Sequence, residues 1–302
     1  MGSGPPTGSA QGRLEAEQVR SMFDGIAGVY DLLNTAMTAG LHHRWRERAA
    51  QLARVRPGDR VLDVATGTGD LALALAAHVA PGGEVIGSDF SEAMLEHARE
   101  KVAQAQGVDG TAVRPRFEWG DALALQYEDD SFDAATVGFG ARNFADLGRG
   151  LQEMRRVVRP GGRVVVLEIT TPTRPPLSTF YALWFDRVVP VLGRVVQALV
   201  RAALAARARG LSPAAGRGHN GNGNGNGSSG HGAGSEGAGI ADAYNYLPNS
   251  VKRFPEPRAL AAELERAGLR EISYVLLAGG IVAIHAGIVP ASTSASAGGA
   301  GR

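Results

Sequence analysis

The chain has 302 residues, 44% of them hydrophobic and 20% charged, with 31 Lys and Arg against 30 Asp and Glu and a formal net charge of +1. That is enough apolar material for one good-sized core, and the charge balance excludes a global field directed at nucleic acid or another polyanion. The absence of cysteine excludes disulfides, thiolate metal sites and a cysteine nucleophile, without deciding between reducing and oxidising compartments.

In chain order, residues 1–13 read as a disordered tail. Met1 to Gly12 is rich in Gly, Ser and Pro and has no basic segment followed by an apolar one, so it does not read as a signal peptide and a cytoplasmic location is the expectation. Val19 to Arg54 reads as a mostly helical, aromatic-bearing cap. Short β-branched runs then alternate with helical patterns: RVLDVA at 60–65, EVIGSDF at 84–90, PRFEWGDA at 115–122, FDAATVGF at 132–139 and RVVVLEI at 163–169. The intervening LALALAAHVA, SEAMLEHAREKVAQAQ and LGRGLQEMRRVV have the apolar spacing of crossover helices, with Ser91 as the N-cap of the second. Such alternation predicts βαβ units and a parallel sheet. Val188 to Ala206 is the most apolar stretch, yet it carries Pro190, Arg194 and Arg201, which argues against a membrane-spanning helix. Residues 210–239 contain GHNGNGNGNGSSGHG and read as a disordered Gly/Asn-rich insertion, in which His219 and His231 lack the fixed geometry a metal needs. No metal site is expected elsewhere. Glu256 to Ala267 reads as a helix closed by Gly268. REISYVLL and GIVAIHAG around Gly279 and Gly280 follow as a strand hairpin, and residues 291–302 as a second disordered tail. The expected fold is α/β, a single domain from residues 14–209 and 240–290 with a doubly wound, mostly parallel seven-stranded sheet of Rossmann-like type and a helical N-terminal cap.

The chemistry begins at VLDVATGTGD, where a buried strand containing Asp63 runs into Gly67, Thr68 and Gly69. Glycines there let the backbone approach a nucleoside closely, and the next helix presents free N–H groups. Twenty residues past Gly69, Asp89 ends the second strand, where a carboxylate accepts both ribose hydroxyls; dinucleotide-binding folds place an acid there too. Four features favour a sulfonium cofactor. Asp63 is placed to organise the loop, and Ala72 stands where a dinucleotide fingerprint has its third glycine. Gly120-Asp121-Ala122 follows the third strand, placing Asp121 for an adenine amino group and the Ala122 N–H for the ring. Finally, RPGG at 159–162, with the terminal hairpin, matches the layout of class I S-adenosylmethionine-dependent methyltransferases. Read singly, each of these residues has a plainer role: Asp63 and Asp89 as helix N-terminal charges, Asp121 as a loop residue and Thr68 as a turn former.

The segment MFDGIAGVYDLLNTAMTAGLHHRWR, from Met22 to Arg46, resembles the N-terminal signature of the C-methyltransferases of menaquinone and ubiquinone biosynthesis. VGFGARNFADLGRGLQEMRRVVRPGGRVVVLEITTP, from Val137 to Pro172, resembles their second signature, and YNYLPNSVKRFP, from Tyr244 to Pro255, their third. The likeness covers residues 19–194 and 241–289. It implies S-adenosylmethionine as cofactor, held by Thr68, Asp89 and the Asp121-Ala122 pair, with Gly138 standing where the family usually has a Ser contact. His42 matches the family's His, whereas the Arg that usually follows it is His43.

The implied substrate is a prenylated quinol methylated on a ring carbon. Demethylmenaquinol is favoured over the benzoquinol of ubiquinone synthesis, and a non-catalytic scaffold subunit is the alternative of a different class. Arg142 and Asn143, in the loop after the fourth strand, are placed to stabilise a developing quinolate. His42, Asp31 and Tyr246 are the candidates for proton removal, with no choice made among them, and Tyr30, Asp31 and Tyr246 for substrate contacts; a core aromatic role for Tyr30 and Tyr246 and a structural one for His42 stand beside these. A tailed substrate implies contact with a membrane surface. Arg187, Arg194 and Arg201, spaced by seven, would give Phe180 to Arg209 a basic, amphipathic face suited to the inner side of the cytoplasmic membrane, or equally a solvated one. Self-association into a homo-oligomer is left open.

Overall fold

The computed structural model describes residues 16–104, 113–172 and 246–291, with isolated positions between 175 and 198. The expected insertion at 210–239, most of Phe180 to Arg209 and both expected tails, except Ala291, lie outside the described residues.

Seven strands form one sheet in the order β3-β2-β1-β4-β5-β7-β6. β1 (Arg60–Val64), β2 (Glu84–Asp89), β3 (Arg116–Trp119), β4 (Phe132–Gly138) and β5 (Val158–Ile169) are parallel. β7 (Val282–Ile288) is antiparallel to both β5 and β6 (Arg270–Leu277), so the expected terminal hairpin supplies the edge. The helices are α1 (Ala16–Ile26), α2 (Tyr30–Thr38), α3 (Leu41–Ala53), α4 (Asp70–Val79), α5 (Glu92–Gln104), α6 (Leu147–Val157) and α7 (Pro257–Arg266).

The strands read as almost continuous apolar runs because helices cover both faces. Alternate residues divide between two cores: Val61, Val85, Ala134 and Val165 pack with α3, α4 and α5, while Leu62, Ile86, Ala135 and Val166 pack with α6 and α7. Local signals fix the helix starts. Asp146 caps α6 by accepting the Arg149 N–H at 3.0 Å, and Ser91 Oγ caps α5 by accepting the Met94 N–H at 3.2 Å.

β5 departs from the sequence reading by beginning at Val158 rather than Arg163. Its register with β4 jumps from Phe132↔Val158 to Ala134↔Arg163, so Arg159–Gly162 forms a bulge opposite Asp133 that continues the ladder. Gly161 supplies the positive φ of 82° that the bulge requires. Its N–H donates to the Val289 carbonyl at 2.8 Å, tying the bulge to the end of β7.

Candidate active site

β1 and β4 are neighbours at the point where the strand order reverses, which is where open α/β sheets leave a crevice beyond their carboxyl ends. A cavity of about 420 Å³ occupies it, and its wall includes Asp63, Gly67, Thr68, Asp89, Asp121, Ala122 and Gly138. Most of the residues expected to hold a nucleoside therefore share one wall.

The loop after β1 owes its shape to left-handed backbone at Ala65, Gly67 and Gly69, with φ of 51°, 56° and 81°. At Gly69 a Cβ would also stand 2.6 Å from the Phe117 ring, so any larger residue is excluded twice. Asp63 anchors this loop from below, accepting from Thr66 Oγ1 at 2.6 Å and Thr136 Oγ1 at 2.7 Å. Asp89 joins the ends of β1 and β2 by accepting the Gly67 N–H at 2.8 Å and the Ser91 N–H at 2.9 Å. Burial pushes both carboxyls up to about 6, against the pull of those hydrogen bonds. Asp121 Oδ1 accepts the Leu123 N–H at 2.8 Å, which folds the loop after β3 where Gly120 to Leu123 line the cavity.

A second group lies beyond β4. Phe139, Gly140 and Asn143 form cavity wall, and Tyr246 donates its hydroxyl proton to Asn143 Oδ1 at 3.1 Å. Tyr30, at the start of α2, borders the cavity from the cap. Arg142 stands one layer behind this wall. Its Nη1 donates to the Phe139 carbonyl at 2.6 Å and to Glu168 Oε2 at 2.9 Å. Burial works against its charge, but Glu168 more than offsets that and holds the guanidinium protonated; Tyr30 and Tyr246 are close enough to add to the effect. The structure thus brings Arg142, Asn143, Tyr30 and Tyr246 together.

His42 and Asp31 belong to a different group. Asp31 accepts from Thr68 Oγ1 at 2.6 Å and pairs with Lys101 at 2.6 Å, and Lys101 also reaches Asp70 at 2.6 Å. This network latches α2 to the cofactor loop and α5. His42 is buried away from the cavity wall, bonded to Thr35 Oγ1 at 3.2 Å and to Arg46. Burial first, and then the Arg46 charge, push it down to about 4, so it stays neutral near pH 7. Asp70 stays below the usual carboxylate range because Arg46 and Lys101 outweigh its burial. His42, His43 and Asp70 do bring ligand-type atoms within 4.8 Å of one another. Arg46 Nη1, however, lies 3.3 Å from Asp70 and against His42, so a guanidinium already fills the place of a cation.

Gly138 ends β4 on the cavity wall. A Cβ there would lie 3.0 Å from Leu71 Cδ2, so the residue without a hydroxyl is matched by a leucine that reaches toward it.

Sequence reasoning missed Glu168, Lys101, Asp70 and Arg46. Glu168 offered a signal: an acid inside the apolar run VVVLEI is rarely buried unpaired. The others lie on helices whose charged faces look alike in sequence, and only the fold brings Arg46 to Asp70 and Lys101 to Thr68, Asp70 and Asp31.

The model of the ubiE/COQ5 methyltransferase family matches residues 11–201 and 233–289. A demethylmenaquinone methyltransferase of Thermus thermophilus is 41% identical over 269 residues, 89% of this chain and 100% of that protein. Another, of Desulfitobacterium hafniense, is 38% identical over 281 residues, 92% of each chain. The ubiquinone/menaquinone biosynthesis C-methyltransferase UbiE of Ectopseudomonas mendocina is 33% identical over 276 residues, 91% of this chain and 90% of that one. Two solved SAM-dependent methyltransferases share the fold. The one from Aquifex aeolicus has a TM-score of 0.51 at 14% identity, covering 92% of this chain and 100% of its own. The one from Thermotoga maritima has a TM-score of 0.50 at 17% identity, covering 89% and 99%. With three ordered signatures in the sequence and the family model matching most of its length, this chain belongs to the ubiE/COQ5 methyltransferase family.

Proposed function

We propose that the chain transfers a methyl group from S-adenosylmethionine to a ring carbon of a prenylated quinol, with demethylmenaquinol as acceptor. The observation that carries this reading is the shared wall. Asp63, Asp89 and Asp121 border one part of the cavity, and Asn143, backed by Arg142 and bonded to Tyr246, borders another. The residues fit the cofactor: Asp89 offers acceptors for ribose hydroxyls, and two buried carboxylates complement a cationic sulfonium.

When bound, the cofactor would supply an electrophilic methyl to the ring carbon and leave as its thioether; of the hydroxyl and ring C–H protons lost, one returns to the oxygen and one is released to water, so one proton leaves per methyl transferred. The chain's own contribution is placement and charge. Asn143 and Tyr246 offer polar groups to the acceptor's oxygen, and Arg142, directly or through one water, stabilises it as the hydroxyl proton departs. His42 has both ring nitrogens engaged and is held neutral, so we assign it to fixing the cap, with Asp31, rather than to moving that proton.

A prenyl tail requires access to a lipid phase, and we assign the protein to the surface of the membrane. Among the described residues no helix is long and apolar enough to cross one. Most of the basic segment from Phe180 to Arg209 lies outside the described residues.

Cofactor affinity should depend on pH through Asp89 and Asp63. Both sit near 6, above the ordinary 3.8, so acidification through 6 protonates them, removing ribose acceptors and the countercharge for the sulfonium. With S-adenosylhomocysteine, which has no sulfonium and so reads Asp89 alone, calorimetry should show the dissociation constant flat above pH 7 and rising by about tenfold per unit below pH 6. Stability of the unliganded protein moves the other way: because both folded-state values are raised, these two groups favour the folded state below 3.8 and lose that contribution as pH rises through 6.

The reading is tested by methyl transfer from labelled S-adenosylmethionine to reduced, short-tailed demethylmenaquinol, with the benzoquinol run beside it and mass spectrometry locating the methyl. A ring-methylated naphthoquinol supports it. Methylation of the benzoquinol alone moves the assignment to the ubiquinone pathway. Tight cofactor binding with neither product returns the scaffold alternative.

A further inference from the structure

Glu168 has no place in the chemistry described so far, yet it is 1% exposed and its carboxylate is fully committed. Oε1 accepts the Arg142 backbone N–H at 3.1 Å, and Oε2 accepts Arg142 Nη1 at 2.9 Å and the Ile169 N–H at 3.0 Å. The residue therefore holds Arg142 by main chain and side chain at once. Phe139 completes the grip: its carbonyl accepts the same Nη1, and it does so from left-handed backbone with φ of 61°, a conformation unfavourable for a non-glycine residue and common at functional sites. A buried ion pair contributes little net stability compared with an apolar pair of the same shape, so the arrangement is poorly explained as a fold stabiliser. What it leaves over is specific. Arg142 Nε is buried and has no hydrogen-bond partner among the described residues.

We propose that Glu168 is a positioning residue, which holds Arg142 behind Asn143 so that the guanidinium stabilises the acceptor's ring oxygen through Asn143 or one water as negative charge develops there. The inference rests on the reading of Arg142 given above and deepens it in two respects. A guanidinium fixed and desolvated before the substrate arrives meets the condition under which such donors act most strongly, and its spare Nε–H is free to hold the bridging water. The carboxylate also makes the pair formally neutral, so donors reach the acceptor without an uncompensated cation beside the sulfonium of the methyl donor. Glu168 touches neither ligand; it acts only through Arg142.

The test uses the full chain and the demethylmenaquinol assay. Glu168→Gln preserves shape but presents an amide donor to a guanidinium, so kcat should fall on the order of 10- to 100-fold while KM and the dissociation constant of S-adenosylhomocysteine stay within about threefold. Glu168→Asp, which keeps the charge, should recover kcat to within about tenfold of the parent. The double variant Arg142→Ala/Glu168→Gln should be no slower than Arg142→Ala by more than about twofold, because the two residues act as a unit. Parent-like kcat in Glu168→Gln, or effects that multiply in the double variant, overturn the proposal. Full activity in Arg142→Ala instead removes the underlying reading, so the two failures are distinguishable. Should Glu168→Gln alone not fold, Glu168→Asp decides in its place: the shorter carboxylate shifts Arg142 and should lower kcat several-fold at unchanged KM, and parent-like kcat in that variant overturns the proposal.

Discussion

Replacing Asp89 with Ala should raise the dissociation constant of S-adenosylhomocysteine by about 100-fold, since hydrogen bonds to an ionised group contribute about 1.5–3 kcal/mol each. The effect has two sources. The ribose loses its carboxylate acceptor, and the Gly67 and Ser91 N–H groups, held at 2.8 and 2.9 Å, lose the anchor that keeps the β1 loop in its binding shape. In a thermal melt the variant should still unfold cooperatively, but saturating ligand should no longer raise its Tm as it does for the parent. An affinity equal to the parent's would remove Asp89, and with it the nucleoside end of the cavity, from the assignment.

Arg142→Ala should behave in the opposite sense. Arg142 stands behind the wall formed by Phe139, Gly140 and Asn143 rather than beside Asp89, so ligand affinity should be preserved. By contrast, kcat should drop by about 100- to 1,000-fold, the usual cost of removing a preorganised oxyanion donor. The substitution also strands the Glu168 carboxylate in the core, and breaking a buried pair in this way costs about 3–5 kcal/mol. A denaturant titration should therefore show the loss of stability separately from the loss of turnover. Loss of ligand binding in a chain shown to be folded would move Arg142 to the cofactor side of the site.

The grouping of the residues proposed to hold the nucleoside is legible in the sequence itself. Asp63, Gly67, Thr68, Asp89, Asp121 and Ala122 come from three strand ends far apart in the chain, yet each strand is readable as a short β-branched run, and the parallel order forces their ends to one edge. β5 is harder, because RPGG carries the residues of a turn while the ladder to β4 passes through it as a bulge. Partnerships are hardest. Arg142 is legible as a cation in a loop, but its neutralising carboxylate lies 26 residues on, in another strand. His42 carries a titratable ring within a family signature, and nothing in a linear pattern shows that Arg46, one helical turn later, points at one of its nitrogens.

The latch between the cap and the nucleoside loop is built differently from the rest of the molecule. The sheet and α3 are held by apolar packing, whereas α2's grip on the loop after β1 passes through Lys101 and Asp31, whose side chains are 28% and 43% open to solvent. Pairs so exposed are screened by salt over a length of about 8 Å at physiological ionic strength. Concentrated electrolyte should therefore loosen α2 from Thr68 while the strands beneath stay packed, so that the exchange rate of the proposed nucleoside rises with salt at an unchanged Tm.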